Sequence, residues 1–144
     1  MKKFFTFIAI ITLSFASQAQ SGAKIEFKDK DNTIDYGTVS KNSDNGIRTF
    51  EFTNTGDAPL IIKDVKSSCG CTVPTKPTEP ILPGEMGKID VKYNMNPGPI
   101  RKTITVESNA INYEGGMVPL KIKGTVVVPE EVNMMEKKKS LPSN

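Results

Sequence analysis

From residue 24 onward apolar and polar side chains trade places at every second position, a period that belongs to strands and not to helices. In Ile25-Glu26-Phe27 the two apolar residues share a face. Residues 48–54 put Phe50 and Phe52 on one side and Thr49, Glu51 and Thr53 on the other. Residues 60–65 are short, branched and partly alternating. Residues 88–94 are the clearest, with Ile89, Val91 and Tyr93 opposed to Asp90, Lys92 and Asn94. Residues 102–108 offer Ile104 and Val106, and residues 118–126 offer Val118, Leu120, Ile122 and Val126 with Lys121 and Lys123 turned outward. Such alternation predicts one buried and one wet face per strand, as in antiparallel sheets.

The punctuation between these runs is turn chemistry. "NTGDAP" at 54–59, "NSDNG" at 42–46, "LPGEMG" at 82–87 and "NPGP" at 96–99 combine Gly, Pro, Asn and Asp. No window past the first residues carries an amphipathic helix. Short strands at regular spacing predict an all-β fold, an immunoglobulin-like antiparallel β-sandwich of about seven strands over residues 24–128. Two sheets are required, because one alone leaves its apolar face in water. After that the alternation stops, and "PEEVNMMEKKKSLPSN" at 129–144 reads as a mobile charged tail.

The chain opens differently. Lys2 and Lys3 precede an apolar run from Phe4 to Phe15, and Ser17-Gln18-Ala19 forms a small-x-small cleavage site. Residues 1–20 therefore read as a secretory signal peptide. The run is shorter than the roughly 18 residues of a spanning helix. Export to the periplasm or the extracellular space follows, with no stable membrane insertion after cleavage. The leader also changes the charge. The full chain has 19 Lys and Arg against 16 Asp and Glu, a net of +3. Removing Lys2 and Lys3 leaves 17 against 16, or +1. A near-neutral chain without a basic, aromatic-lined patch is not built for nucleic acid.

Candidate chemistry is sparse. There is no histidine, which removes the usual general base, the Ser-His and Cys-His pairs and the commonest metal ligand. No phosphate loop, nucleophile elbow or cofactor motif is present, so no cofactor and no catalysis are expected. Asp29, Asp31, Asn32 and Asp35 imitate a calcium loop. Counting from Asp29, however, Ile34 and Ser40 stand where Gly and Glu are needed. Asp44-Asn45-Gly46 reads as a turn.

What remains is "VKSSCGCTVP", which holds both cysteines, Cys69 and Cys71, around Gly70, with Ser68 and Thr72 as flanking support. On a strand their α-carbons would lie about 6.6 Å apart, at the long end of the ~4.4–6.8 Å that a disulfide spans. A bond between them requires the chain to tighten, and Gly70 is the residue able to allow it, since glycine tolerates positive φ. Residues 72–80 are then expected to leave in an irregular, Pro-rich loop. A three-residue ring contributes only about 1.6 kcal/mol. Four readings stand open: a local disulfide in an oxidising compartment, two packed thiols, a soft-metal site aided by Met86, Met95 or Met117, and a redox dithiol.

The strings "FTNTGDAPLIIKDVKSSCGCTVP", "ILPGEMGKIDVKYN", "KTITVESNA" and "VPLKIKGTV" resemble a bacterial secreted family of unknown function, numbered fifteen seventy-three in that series. Its domain is similar to the ASPM–SPD-2–Hydin immunoglobulin-like module, related to the pilus-chaperone and major-sperm-protein sandwiches. The resemblance covers Phe27 to Val128 and implies a sandwich with an extracytoplasmic role and no established activity. The expected function is a non-enzymatic binding or structural module with an unknown protein partner, docking as an added strand at an open sheet edge. The alternative is a copper-binding or thiol-redox module centred on Cys69 and Cys71.

Overall fold

A computed structural model describes residues 20–129 with the exception of Cys71. The leader expected over residues 1–20 and the tail expected over 129–144 lie outside the described residues but for Gln20 and Pro129. The strands are β1 (Ile25–Phe27), β2 (Thr33–Ser40), β3 (Ile47–Asn54), β4 (Ile62–Ser67), β5 (Thr72–Thr75), β6 (Met86–Tyr93), β7 (Gly98–Ser108) and β8 (Met117–Val127). They form two four-stranded sheets, ordered β1-β3-β6-β5 and β2-β8-β7-β4. With β2 set aside, these are the A-B-E-D and C-F-G orders of an immunoglobulin-like sandwich.

The alternation read from the sequence is the inner lining. Phe50 and Phe52 of β3 and Ile89 and Val91 of β6 face Ile104 and Val106 of β7 and Val118, Leu120 and Ile122 of β8, all 1% exposed or less. Each such side chain contributes about 1.5–3 kcal/mol relative to exposure. Phe27 lies against both β3 aromatics, edge-on to Phe50 at 6.3 Å and tilted at 5.4 Å to Phe52.

Two strands were not foreseen. β2 begins after a 3-10 turn at Lys30–Asn32, where Asp31 and Asn32 hold φ of 55° and 52°. The imitation of a calcium loop is thus the corner at which the chain passes from one sheet to the other. Only Tyr36 of β2 is buried, because β2 is an edge strand, so alternation is faint. It pairs with β8 in parallel, an exception to the antiparallel expectation. The parallel pair follows from the switch: the chain continues in the direction of β1 but on the opposite layer. The second is β5, a correction to the irregular loop expected over residues 72–80. Thr72–Thr75 pair with Tyr93–Asp90 of β6, and Pro74 is accommodated because β5 is an edge.

Candidate functional site

β4 and β5 are edge strands of different sheets, and residues 68–71 join them. The Ser68 N–H donates to the Thr103 carbonyl at 2.9 Å, the Thr103 N–H reaches Ser68 Oγ at 3.4 Å, and the Cys69 N–H reaches Ser67 Oγ at 3.3 Å. The β4–β7 pairing therefore persists to Ser68, after which the chain crosses to Thr72 opposite Tyr93. The Cys-Gly-Cys stretch is this crossing. Cys69 is half-buried, and no cysteine among the described residues is free. Cys71 lies outside them. Gly70 is exposed, does not adopt positive φ, and a Cβ there would meet nothing within 4 Å. The left-handed conformation that glycine tolerates is thus not the one Gly70 adopts. Thr72 is 4% exposed, and its Oγ1 has no hydrogen-bond partner.

The methionines considered beside the cysteines are scattered. Met86 opens β6, seven residues from Tyr93 and so about 23 Å along the strand. Met117 opens β8 opposite Glu107, four residues and so about 13 Å along β7 from Thr103. Met95 lies two residues past Tyr93 and is buried against Gly46. Among the described residues no group of three or more His, Cys, Asp or Glu is placed to hold a metal ion.

The same end of the sandwich is closed by a polar lock. Asp44 and Arg48 form a two-pronged pair at 2.8 and 3.1 Å, and the Arg48 guanidinium lies 4.2 Å from the centre of the Tyr36 ring. The Arg48 hydrogen bond, helped by the Gly46 N–H, holds the Asp44 carboxyl below its ordinary range. Tyr36 donates to the Gly46 carbonyl at 2.8 Å, and burial pushes its phenol up to about 12. Gly46 is obligatory here: its φ is 74°, and a Cβ would stand 2.2 Å from the Tyr93 carbonyl oxygen.

At the opposite end asparagines dominate; sequence reasoning placed Asn54 in a turn and gave Asn109 and Asn112 no role. Asn54, fully buried, donates to the carbonyls of Ala58 at 2.8 Å and Ile81 at 2.9 Å and accepts from Gly56 N–H at 3.0 Å and Lys24 N–H at 3.4 Å. Asn109 accepts from Ile61 N–H at 2.8 Å and donates to the Pro59 carbonyl at 3.0 Å. Asn112 does the same for Ile25, at 3.0 and 2.8 Å, in the manner of a neighbouring strand. Ser108 Oγ, buried, donates to the Gly116 carbonyl and receives the Ala110 N–H. Loops 55–61, 81–85 and 109–116 and the start of β1 are thereby tied into one rim. The available signal was the position of Asn54 and Ser108 at inward-facing strand ends, where a polar residue breaks the apolar row.

The sheet edges are each interrupted. β1 has three residues and β5 contains Pro74. In β2 the register shifts between Asp35 and Thr38, and the Asp35 carboxylate takes the Gly37 N–H at 2.8 Å, the main reason its pKa is lowered. In β4 the register shifts between Ile62 and Asp64, the Asp64 carboxylate takes the Val65 N–H at 2.9 Å, and the Lys76 ammonium covers the Lys63 carbonyl. Bulges, charges and proline are the devices by which edges resist an added strand.

The strand order and the sheet switch at β2 define the class: an immunoglobulin-like, PapD-like β domain. Within that class the chain belongs to the family described as "Protein of unknown function (DUF1573)", whose profile matches residues 25–126. No functionally curated protein matches. Among solved structures it is similar to a protein of unknown function from Porphyromonas gingivalis W83. The identity is 16% and the TM-score 0.61, over 76% of this chain and 50% of that one. It is also similar to PapD-like domain 7 of human CEP192, an ASH domain, with 11% identity and TM-score 0.53 over 73% and 86%. The secreted serine protease VesC from Vibrio cholerae gives 15% and 0.51, over 79% of this chain and 26% of that one. The chain thus spans half or less of two of these proteins, and at such identities the likeness is one of fold.

Proposed function

We propose that the protein is a non-enzymatic, exported interaction module that engages a protein partner with the asparagine-braced loop end of its sandwich. The observation that carries this reading is the bracing itself. Three loops whose backbone groups are held by buried or half-buried side chains present a fixed surface, and a fixed surface binds without a large ordering cost. The leader over residues 1–20 supports export to the periplasm or beyond. Among the described residues no helix is long and apolar enough to cross a membrane. The sandwich over residues 24–128 is the binding unit, with 129–144 a charged tail. Cys69 and Cys71 are assigned as a local disulfide that fixes the crossing from β4 to β5. Two facts support this: the chain has only two cysteines, and no described cysteine is free. The copper or thiol-redox reading rests on the same two residues and draws no support from the methionines, two of which stand several residues along the strands from the crossing. Strand addition is disfavoured by the interrupted edges.

The test is site-specific photo-cross-linking in the producing cells. A cross-linking residue at Ile61, in the braced end, should give a discrete protein adduct in the exported fraction, and one at Lys88, on an open sheet face, should not. No adduct from Ile61 would overturn the reading.

A further inference from the structure

Three of the large apolar side chains left in water share one end of the sandwich. Ile61 is 46% exposed, Leu82 50%, Met86 60%, Ile111 39% and Met117 45%; Ile47 alone, at 43%, stands at the opposite end. Of the other five, Ile61, Leu82 and Ile111 belong to the loops of the braced end, which hydrogen bonds tie together, while Met86 and Met117 turn outward from the first and the second sheet respectively. Leu60 and Ile81 exchange both backbone hydrogen bonds at 2.8 Å in an antiparallel bridge, which makes Ile61 and Leu82 diagonal neighbours across it. The Ile111 N–H donates to the Ala23 carbonyl at 2.8 Å. Met86 is opposite Thr53, and Met117 opposite Glu107. An exposed apolar cluster on a rigid support marks an interaction surface.

The charge within the loops that carry them has one sign. Residues 55–61, 81–86 and 109–117 contain Asp57, Glu85 and Glu114 and no Lys or Arg. Two of these acids are held in place: Asp57 Oδ1 accepts from the Gly22 N–H at 2.6 Å and Glu85 Oε2 from the Leu82 N–H at 3.2 Å. Lys24, at the start of β1, is a neighbouring cation and is half-buried. Exposed cations flank these loops on the sheets: Lys63 two residues past Ile61, Lys28 and Lys88 beside Met86 on the first sheet, and Arg101 opposite Lys123 on the second.

We propose that the loop end docks a protein whose contact surface is apolar at its centre and rimmed with lysine or arginine. This rests on the interaction-module reading above and adds the partner's chemistry. Charge complementarity selects that occupant. A second copy meeting this end by two-fold symmetry would bring the three acids against three acids. An anionic lipid surface would repel them as well.

The test uses a random peptide library displayed on phage, selected on the full exported chain and counter-selected on an Ile61→Asp, Ile111→Asp variant. The folding of every variant is checked by its thermal transition. The selected peptides should carry an apolar core with Lys or Arg on its flanks. Their affinity should fall roughly tenfold from low to high salt. It should fall by a similar factor in an Asp57→Lys, Glu85→Lys, Glu114→Lys variant. Peptides without basic residues, equal binding to the Ile61/Ile111 variant, or indifference to the charge reversal would overturn the inference. Self-association of the unmodified chain that Ile61→Asp abolishes would overturn it too, since the occupant would then be a second copy. A cross-link at Ile61 in cells together with uncharged peptide selections would sink this inference alone and leave the module reading standing.

Discussion

Replacing Asn54 with alanine removes a side chain whose whole hydrogen-bonding capacity is used. Its two amide protons go to Ala58 and Ile81, and its oxygen receives Gly56 and Lys24. The backbone bonds of residue 54, from its N–H to Glu85 and to its carbonyl from Gly84, survive in the variant. The Ile81 carbonyl keeps the Leu60 N–H, so it is not orphaned. The Ala58 carbonyl, the Gly56 N–H and the Lys24 N–H lose their partner. At about 1 kcal/mol for each of these three part-buried groups, the expected loss is about 3 kcal/mol. For a domain of this size that corresponds to a fall in Tm of roughly 15 °C. Asn54→Asp, nearly isosteric, keeps both acceptors but turns a carboxylate toward two carbonyl oxygens. It should be at least as damaging at neutral pH and should recover in part below about pH 4, when a protonated carboxyl regains one donor. Urea unfolding of residues 21–144 measures this as a shift in midpoint at constant slope. A loss under about 1 kcal/mol for Asn54→Ala, with the fold intact, would refute the claim that this residue braces the loop end.

Further expectations concern the other end. Gly46→Ala should cost about 2 kcal/mol or more, because its φ of 74° and the Tyr93 oxygen at 2.2 Å both oppose a methyl group. Gly70→Ala should stay within about 0.5 kcal/mol, since open space surrounds it; comparing their urea midpoints checks both. The Asp44 carboxyl has a lowered pKa in the fold. Its contribution is therefore present above the ordinary carboxyl value and lost as pH falls through and below that range. Asp44→Asn should flatten the acid limb of stability against pH between neutrality and acid unfolding. Tyr36 is raised to about 12, so its contribution is complete below the ordinary tyrosine value and lost as pH climbs toward 12. Ultraviolet titration should show a late phenol that is lost in Tyr36→Phe. Intact mass of the exported chain should lie two hydrogens below the reduced value and resist alkylation. Reduction should lower stability by no more than about 2 kcal/mol. Two alkylatable thiols would remove the disulfide assignment.

How much of this was legible varies with burial. Strands with a complete inner row, such as Ile89-Asp90-Val91-Lys92-Tyr93 in β6, declare themselves, because period-two burial writes directly into residue choice. Edge strands do not. β2 buries Tyr36 alone, and β5 tolerates Pro74 because its outer side needs no donor. The Asp-Asn run before β2 imitated a metal loop since left-handed corners and cation loops draw on the same residues. Cys-Gly-Cys was conspicuous, yet its place at the crossing between sheets depends on which edges β4 and β5 occupy, a property of topology. The loop end was hidden for a related reason. "NTGDAP" and "SNAINYEGG" carry ordinary turn residues, and only the fold reveals that Asn54, Asn109 and Asn112 reach residues up to 87 positions away. The cluster of Ile61, Leu82 and Ile111 is likewise dispersed in the chain and gathered in space.

The central claim, that one end of the sandwich is a rigid display of loops, is tested most directly by residue-resolved amide hydrogen exchange on residues 21–144. The amides of Gly56, Ile61, Gly84, Ala110, Ile111 and Gly116, all donors within that rim, are expected to be protected to nearly the same degree as those of β3 and β6. Exchange of these amides at the rate of unstructured chain, with the strands still protected, would contradict the account.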